Sequence, residues 1–249
     1  AYDNLIQGYA GAMSITGTDK ENPVKSGIPI ADLGAGLYAV IGILSAIQSR
    51  EKNDSGEHVD ISMLDTQVSL LTYMATMHFL SGENPEPIGN QHMNHVPFNS
   101  YRTSDGFIQI GVVAEDFWPS LIEALDLKQL DTEENKVRSG RLKNREHIDQ
   151  AVQEVFITNT TEHWLKTLQE HRVPCGPINT LSETFQDADL LKRNMIVEVL
   201  QDSGASVKMP GNPVKISNHD EEFRRSPKLG EHTSEIFKDW LDKDISVDQ

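Results

Sequence analysis

Cysteine is nearly missing from this chain: Cys175 stands alone among 249 residues. An internal disulfide is excluded, and the usage fits a reducing cytoplasm. Positive charge is scarce too. Lys and Arg number 22 against 38 Asp and Glu, a net charge of −16. Such a chain repels nucleic acid and anionic membrane surfaces, so neither is expected as a partner. Solubility, or adaptation to salt, accounts for the acidity. No apolar run reaches the roughly 20 residues that cross a bilayer. Ala1-Tyr2-Asp3 has neither the basic start nor the apolar core of a secretory signal. Internal repeats and low-complexity tracts are absent as well. Hydrophobic residues at 37% and charged residues at 24% are ordinary globular usage, enough for a sizeable core.

Along the chain, residues 4–17 read as a helix ending in a loop, and the polar stretch 18–26 with Pro23 reads as a surface loop. Residues 33–50 are apolar nearly all round, which predicts a buried helix. His58 to Met63 alternates like a strand. Residues 64–81 predict a second long helix. Ser81 to Gln91, dense in turn formers, is the best domain boundary. A hairpin follows, with strands around Ser100–Thr103 and Phe107–Val112 across Asp105-Gly106. Helices are predicted at 115–126, 144–157, 161–171, 181–193 and 231–242. Thr160 is suited to capping the third of these. Strand-like runs lie at 196–200 and 206–209. The divisions that result are 1–84, a linker at 85–97, a small α/β domain at 98–190, and 191–249.

Asp32 is the most informative residue. It lies in Gly27-Ile28-Pro29-Ile30-Ala31-Asp32-Leu33-Gly34-Ala35-Gly36, directly before the apolar helix. On spacing alone it reads two ways. It is the helix N-cap, a role Asp favours, or it is a nucleophile with glycines that let a ligand come close.

The order of several motifs favours the second reading. Gly11-Ala12-Met13-Ser14-Ile15-Thr16-Gly17, the Gly27–Gly36 stretch and Val59-Asp60-Ile61-Ser62-Met63-Leu64-Asp65 come first. Thr103-Ser104-Asp105-Gly106, Val173-Pro174-Cys175-Gly176-Pro177 and Leu229-Gly230-Glu231-His232-Thr233 follow. Together they resemble the class III CoA-transferases, the family of formyl-CoA transferase and the carnitine CoA-transferases, over nearly the whole chain. The resemblance implies an α/β fold, with helices and strands of a Rossmann-like large domain, a small α/β domain, and two subunits interlocked as a homodimer. It also implies that an N-terminal half holding most of the CoA lies outside this chain. The chain is then a fragment, a processed product or one piece of a split protein.

The same resemblance implies transfer of CoA from an acyl-CoA to a carboxylic acid, with CoA thioesters as substrates and neither a resident cofactor nor a metal. Asp32 matches the family nucleophile. Asp3, 29 residues upstream, matches an acidic residue that lines the site. Gly34 and Gly36 would leave room for the acyl group and free helix N-terminal amides for developing charge. Tyr2 and the loop residues Gly89, Asn90 and His92 are expected at the substrate. That loop has Gly89 where formyl-CoA transferase has a run of glycines, so that particular activity is not expected. Acyl-CoA racemases of the same family are the alternative, with a non-catalytic fragment as a further one. The racemases carry a histidine where this chain has Tyr2, a poor base at neutral pH, and a glutamate where this chain has Ala114, next to Glu115, so transfer is favoured. His92-x-x-His95 lacks a third ligand for a metal. Cys175, despite His171 nearby, reads as part of a structural turn.

Overall fold

Small and large apolar residues are sorted onto opposite sides of α2 (Ile30–Asn53), the longest helix in a computed structural model that describes residues 1–242. Ala31 and Gly34 are buried, and Ala35, Ala39, Gly42 and Ala46 half-buried, on the side where α2 meets α1 (Asp3–Tyr9), α3 (Met63–Leu70) and the 54–62 segment. Leu33, Leu37, Val40, Ile41, Ile43, Leu44 and Ile47 face outward. The expectation of a helix buried all round is therefore wrong. Small side chains let α3 approach: a Cβ on Gly34 would lie 3.0 Å from Thr66 Cγ2 and 3.1 Å from Leu70 Cδ1. The reading that no run is long enough for a bilayer also fails. The 24 residues of α2 include an 18-residue window of mean hydropathy 1.9, enough to cross a membrane by length and composition alone.

The strand expected at His58–Met63 is not a strand. Residues 54–62 run without a ladder partner, and their alternation is spent on α2, where Val59 and Ile61 pack across Gly42. The helix predicted over 64–81 is two: α3 and α4 (Tyr73–Ser81), broken at Thr72, whose φ of 50° interrupts the helical bonding. Ser62 caps α3 by accepting the Asp65 amide.

A three-stranded antiparallel sheet follows, in the order β1 (Phe98–Arg102), β2 (Phe107–Gly111), β3 (Cys175–Pro177). The β1–β2 register pairs Phe98 with Gly111 and Arg102 with Phe107. Alternation along the strands sends Tyr101, Ile108 and Ile110 inward. They pack on α5 (Phe117–Leu125), α7 (Arg145–Phe156) and α8 (Thr161–Glu170) in one core with Trp118, Leu121, Ile148, Phe156 and Leu168. Thr160 caps α8, accepting the His163 amide. The turn reading of Val173–Pro177 is corrected: this segment supplies the edge strand β3, with Cys175 opposite Ile110. A short helix that periodicity did not indicate, α6 (Arg138–Lys143), carries the fully buried Arg141. Its guanidinium donates to the carbonyls of Val96 and Asn135 and to Glu115 Oε2, and lies over the Trp118 ring.

Two compact units divide the chain, Ala1–Ile178 and Asn179–Gln249. In the second unit, the helix expected at 181–193 is α9 (Leu181–Thr184) and α10 (Ala188–Lys192). Asp187 caps α10 and so ends the first segment. The strands β4 (Ile196–Leu200) and β5 (Ser206–Pro210) pair antiparallel. The last helix among the described residues is α11 (Thr233–Leu241). Just before it, Glu231 accepts from the Arg225 guanidinium and the Lys228 amide, which hold its carboxyl down at about 2.

Candidate active site

Asp32 is not a cap. The helix begins at Ile30, with Pro29 as its N-cap residue, and places Asp32 in the first turn. The cap comes from elsewhere: Asp3 Oδ1 accepts the Ala31 amide at 2.9 Å. Its other oxygen, Oδ2, accepts Gln7 Nε2 at 2.7 Å, and Gln7 Oε1 accepts the Ser26 amide at 2.9 Å. Gln7 is 1% exposed, so both its amide atoms are used in a dry setting. This relay ties α1, the 24–29 loop and the start of α2 together. Gln7 escaped the sequence reading, and its only signal is the i,i+4 spacing from Asp3.

Asp3 and Asp32 are thus brought to the same helix end. The Asp32 carboxylate is exposed and makes no hydrogen bond or ion pair among the described residues. Its free oxygens, near the positive end of a helix dipole, are available to an electrophile. The Ala31 amide is not available for an oxyanion, because Asp3 has taken it.

The two glycines differ. Gly34 does not leave room for a ligand; it is the contact point of α2 on α3. A Cβ on Gly36 would meet nothing within 4 Å. It lies one turn beyond Asp32 on the same flank of the helix, so the open space expected there exists at Gly36 alone. Tyr2 is 75% exposed. Tyr2 starts α1 through its carbonyl, which accepts the Leu5 and Ile6 amides.

Gly89, at φ 62°, donates its amide to the Gly17 carbonyl at 2.7 Å and so fastens the linker to the loop after α1. Asn90 Nδ2 donates to Ser100 Oγ at 2.6 Å. It borders an open cavity of about 580 Å³ walled by Phe98, Gln109, Gly111 and Pro174. His92 Nδ1 accepts the Asn94 amide, and its carbonyl accepts from Arg145. Its ring packs on His95 and Phe98. No hydrogen bond, ion pair or ring contact among the described residues joins Asn90 or His92 to Asp3 or Asp32.

Glu115 is held by the Arg141 guanidinium at 2.7 Å and by the Arg138 amide. Burial pushes its carboxyl up, but these bonds together hold it below the usual range. Burial raises the Cys175 thiol, and His171 Nδ1 is engaged with the Thr167 carbonyl, so the two form no pair. Among the described residues no three metal-ligating side chains cluster.

The geometry on hand is a free carboxylate at the mouth of a glycine-bearing helix, in a mixed α/β fold. The chain belongs to CoA-transferase family III, whose sequence profile matches residues 1–233. The human succinyl-CoA:glutarate CoA-transferase is 29% identical over 242 residues, covering 96% of this chain and 55% of that protein. Succinyl-CoA:mesaconate CoA-transferase of Haloarcula marismortui is 32% identical over 240 residues, covering 95% and 60%. The crystal structure of a CaiB/BaiF family protein from Brucella suis superposes with a TM-score of 0.80 at 31% identity, covering 96% of this chain and 62% of that one. The fold is therefore the α/β fold of the class III CoA-transferases. The chain spans about three fifths of the length of the relatives it matches.

Proposed function

We propose that this chain supplies the nucleophile of a CoA-transferase that exchanges CoA between an acyl-CoA and a free carboxylic acid. Asp32 attacks the thioester carbonyl carbon through a carboxylate oxygen. The carbon–sulfur bond breaks, CoA leaves as thiolate, and a mixed anhydride remains. The thiolate then attacks the Asp32 acyl carbon. The donor acid departs as its carboxylate and leaves an aspartyl-CoA thioester. An acceptor carboxylate reverses the steps and carries CoA away. Splitting one exchange into these steps is covalent catalysis and needs no redox partner. Asp3, through the Ala31 amide, fixes the helix turn that presents Asp32.

The observation that carries this reading is the unpaired Asp32 carboxylate beside the open flank at Gly36, in a family III chain. The names of the relatives favour dicarboxylic acids, with succinyl-CoA as donor and a short dicarboxylate such as glutarate or mesaconate as acceptor. Glu115, the candidate second base for racemisation, is occupied by Arg141, which favours transfer. The test is exchange between succinyl-CoA and isotopically labelled acceptor, alongside deuterium uptake at the α-carbon of a branched acyl-CoA. Exchange that is lost in Asp32→Asn, with no α-carbon uptake, supports the reading. Uptake without exchange defeats it.

A further inference from the structure

We infer that the open cavity on the outer face of the three-stranded sheet is a binding site for an uncharged ligand that bears a carboxamide. The alternation that sends Tyr101, Ile108 and Ile110 into the core turns Phe98, Gln109, Gly111 and Gly176 to the opposite face. Two glycines make the hollow there. A Cβ on Gly111 would lie 3.1 Å from Phe98 Cδ2, so the Phe98 ring lies across Gly111 and forms one wall. A Cβ on Gly176 would meet nothing within 4 Å, so the floor at that point is empty. Gln109 stands opposite Gly176 in the β2–β3 register. Its side-chain amide is exposed and makes no hydrogen bond among the described residues. The hollow measures about 580 Å³, which suits a small molecule.

Charge decides the class of ligand. No charged residue lines the cavity. A carboxylate seated there would shed water and meet no cation. A carboxamide sheds less, and its donor and acceptor pair with the two ends of the Gln109 amide. An apolar body attached to it packs on the Phe98 ring and meets Val113 and Pro174. The wall on the Asn90 side stands before any ligand arrives. Asn90 Nδ2 is fixed on Ser100 Oγ, and two residues one turn apart on α7 hold the loop that carries it. Arg145 Nη2 donates to the His92 carbonyl at 2.7 Å, and Asp149 Oδ2 accepts Gln91 Nε2 at 3.3 Å. Asp149 Oδ1 in turn accepts the hydroxyl of the buried Tyr101. A ligand therefore does not have to order the loop, which lowers the entropic cost of binding. The site does not rest on the chemistry proposed at Asp32, and its test reads binding alone.

The experiment titrates the full chain with benzamide and, in parallel, with benzoate, which has the same shape and carries a charge. Backbone amide shifts in nuclear magnetic resonance report where each one sits. The inference expects saturable shifts with benzamide at Asn90, Gln109, Gly111 and Gly176, and binding of benzoate weaker by roughly 10-fold or more. Gln109→Leu keeps the bulk and removes the amide, and should weaken benzamide by roughly 10-fold. Gly176→Val puts a strand-forming side chain into the empty floor, where no protein atom opposes it, and should abolish binding. The comparison of benzamide with benzoate on the unaltered chain stands without either variant. Shifts that do not saturate, or that map elsewhere, overturn the inference. So does benzoate binding as tightly as benzamide, or a folded Gln109→Leu chain that binds benzamide unchanged.

Discussion

Asp3 Oδ1 accepts the Ala31 amide at 2.9 Å, so the helix that presents Asp32 is capped by a carboxylate from another helix. Asp32 is thereby released from the structural role its position suggests. Removing Asp3 strips a cap and leaves the buried Gln7 amide without an acceptor. We expect Asp3→Ala to lower stability by about 2 kcal/mol, summing a cap and an orphaned donor. Urea unfolding at constant m-value is the check. Gln7→Leu should destabilise comparably, and the pair should be non-additive because the two residues share one network.

Gly34 and Gly36 separate packing from access. Gly34→Val drives a side chain into Thr66 and Leu70 and should cost about 2–3 kcal/mol by overpacking. Gly36→Ala meets open space in a helix and should stabilise by about 0.5–1 kcal/mol. The same change should slow CoA exchange in the assembled protein, because it fills the flank beside Asp32. Thermal unfolding of both variants tests the first pair of signs. Equal effects at the two glycines would contradict the packing described.

Arg141 is 2% exposed, whereas its partner Glu115 keeps 56% of its side chain in water. Truncating the buried member orphans the Val96 and Asn135 carbonyls, so Arg141→Met should cost about 3 kcal/mol. Glu115→Gln should cost about 1 kcal/mol or less, since its carboxylate is largely solvated. Chemical denaturation of the two variants side by side reads the asymmetry.

Burial, reinforced by His92, Arg138 and Arg141, holds His95 below its ordinary value of 6.5, with Glu115 pulling the other way. The folded state therefore binds fewer protons at this site than the unfolded chain does. The resulting stability is complete above pH 6.5 and is lost as pH falls through the lowered folded value. Melting temperatures between about pH 7 and about pH 5 should fall more steeply in the wild type than in His95→Gln.

Much of the three-stranded sheet and the helices packed on it was legible in the sequence because the signals are local. Asp105-Gly106 between alternating runs sets the hairpin, and Thr160 marks the start of α8. The errors arose where a pattern has more than one packing solution. An apolar helix reads as buried whether or not anything covers it, so α2 was misjudged. Alternation at 58–63 was satisfied by lying on Gly42 instead of pairing with a strand. The place of Asp32 at the start of a long apolar helix was readable from the glycine- and proline-rich stretch around it. The link from Asp3 through Gln7 to Ser26 was not, because hydrogen bonds between a helix, a loop and a second helix leave no period in sequence. Gly34 was misassigned for the same reason: a close approach by α3 and an approach by a ligand call for the same residue.

The account stands most directly on the fate of the Asp32 carboxylate during turnover. An assembly of this protein that exchanges CoA should be incubated with succinyl-CoA, quenched with hydroxylamine, and its peptides mapped by mass spectrometry. A hydroxamate at Asp32, missing from the sample without acyl-CoA, is the predicted result. Continued exchange with Asp32 unmodified, or undiminished exchange by Asp32→Asn, would contradict it.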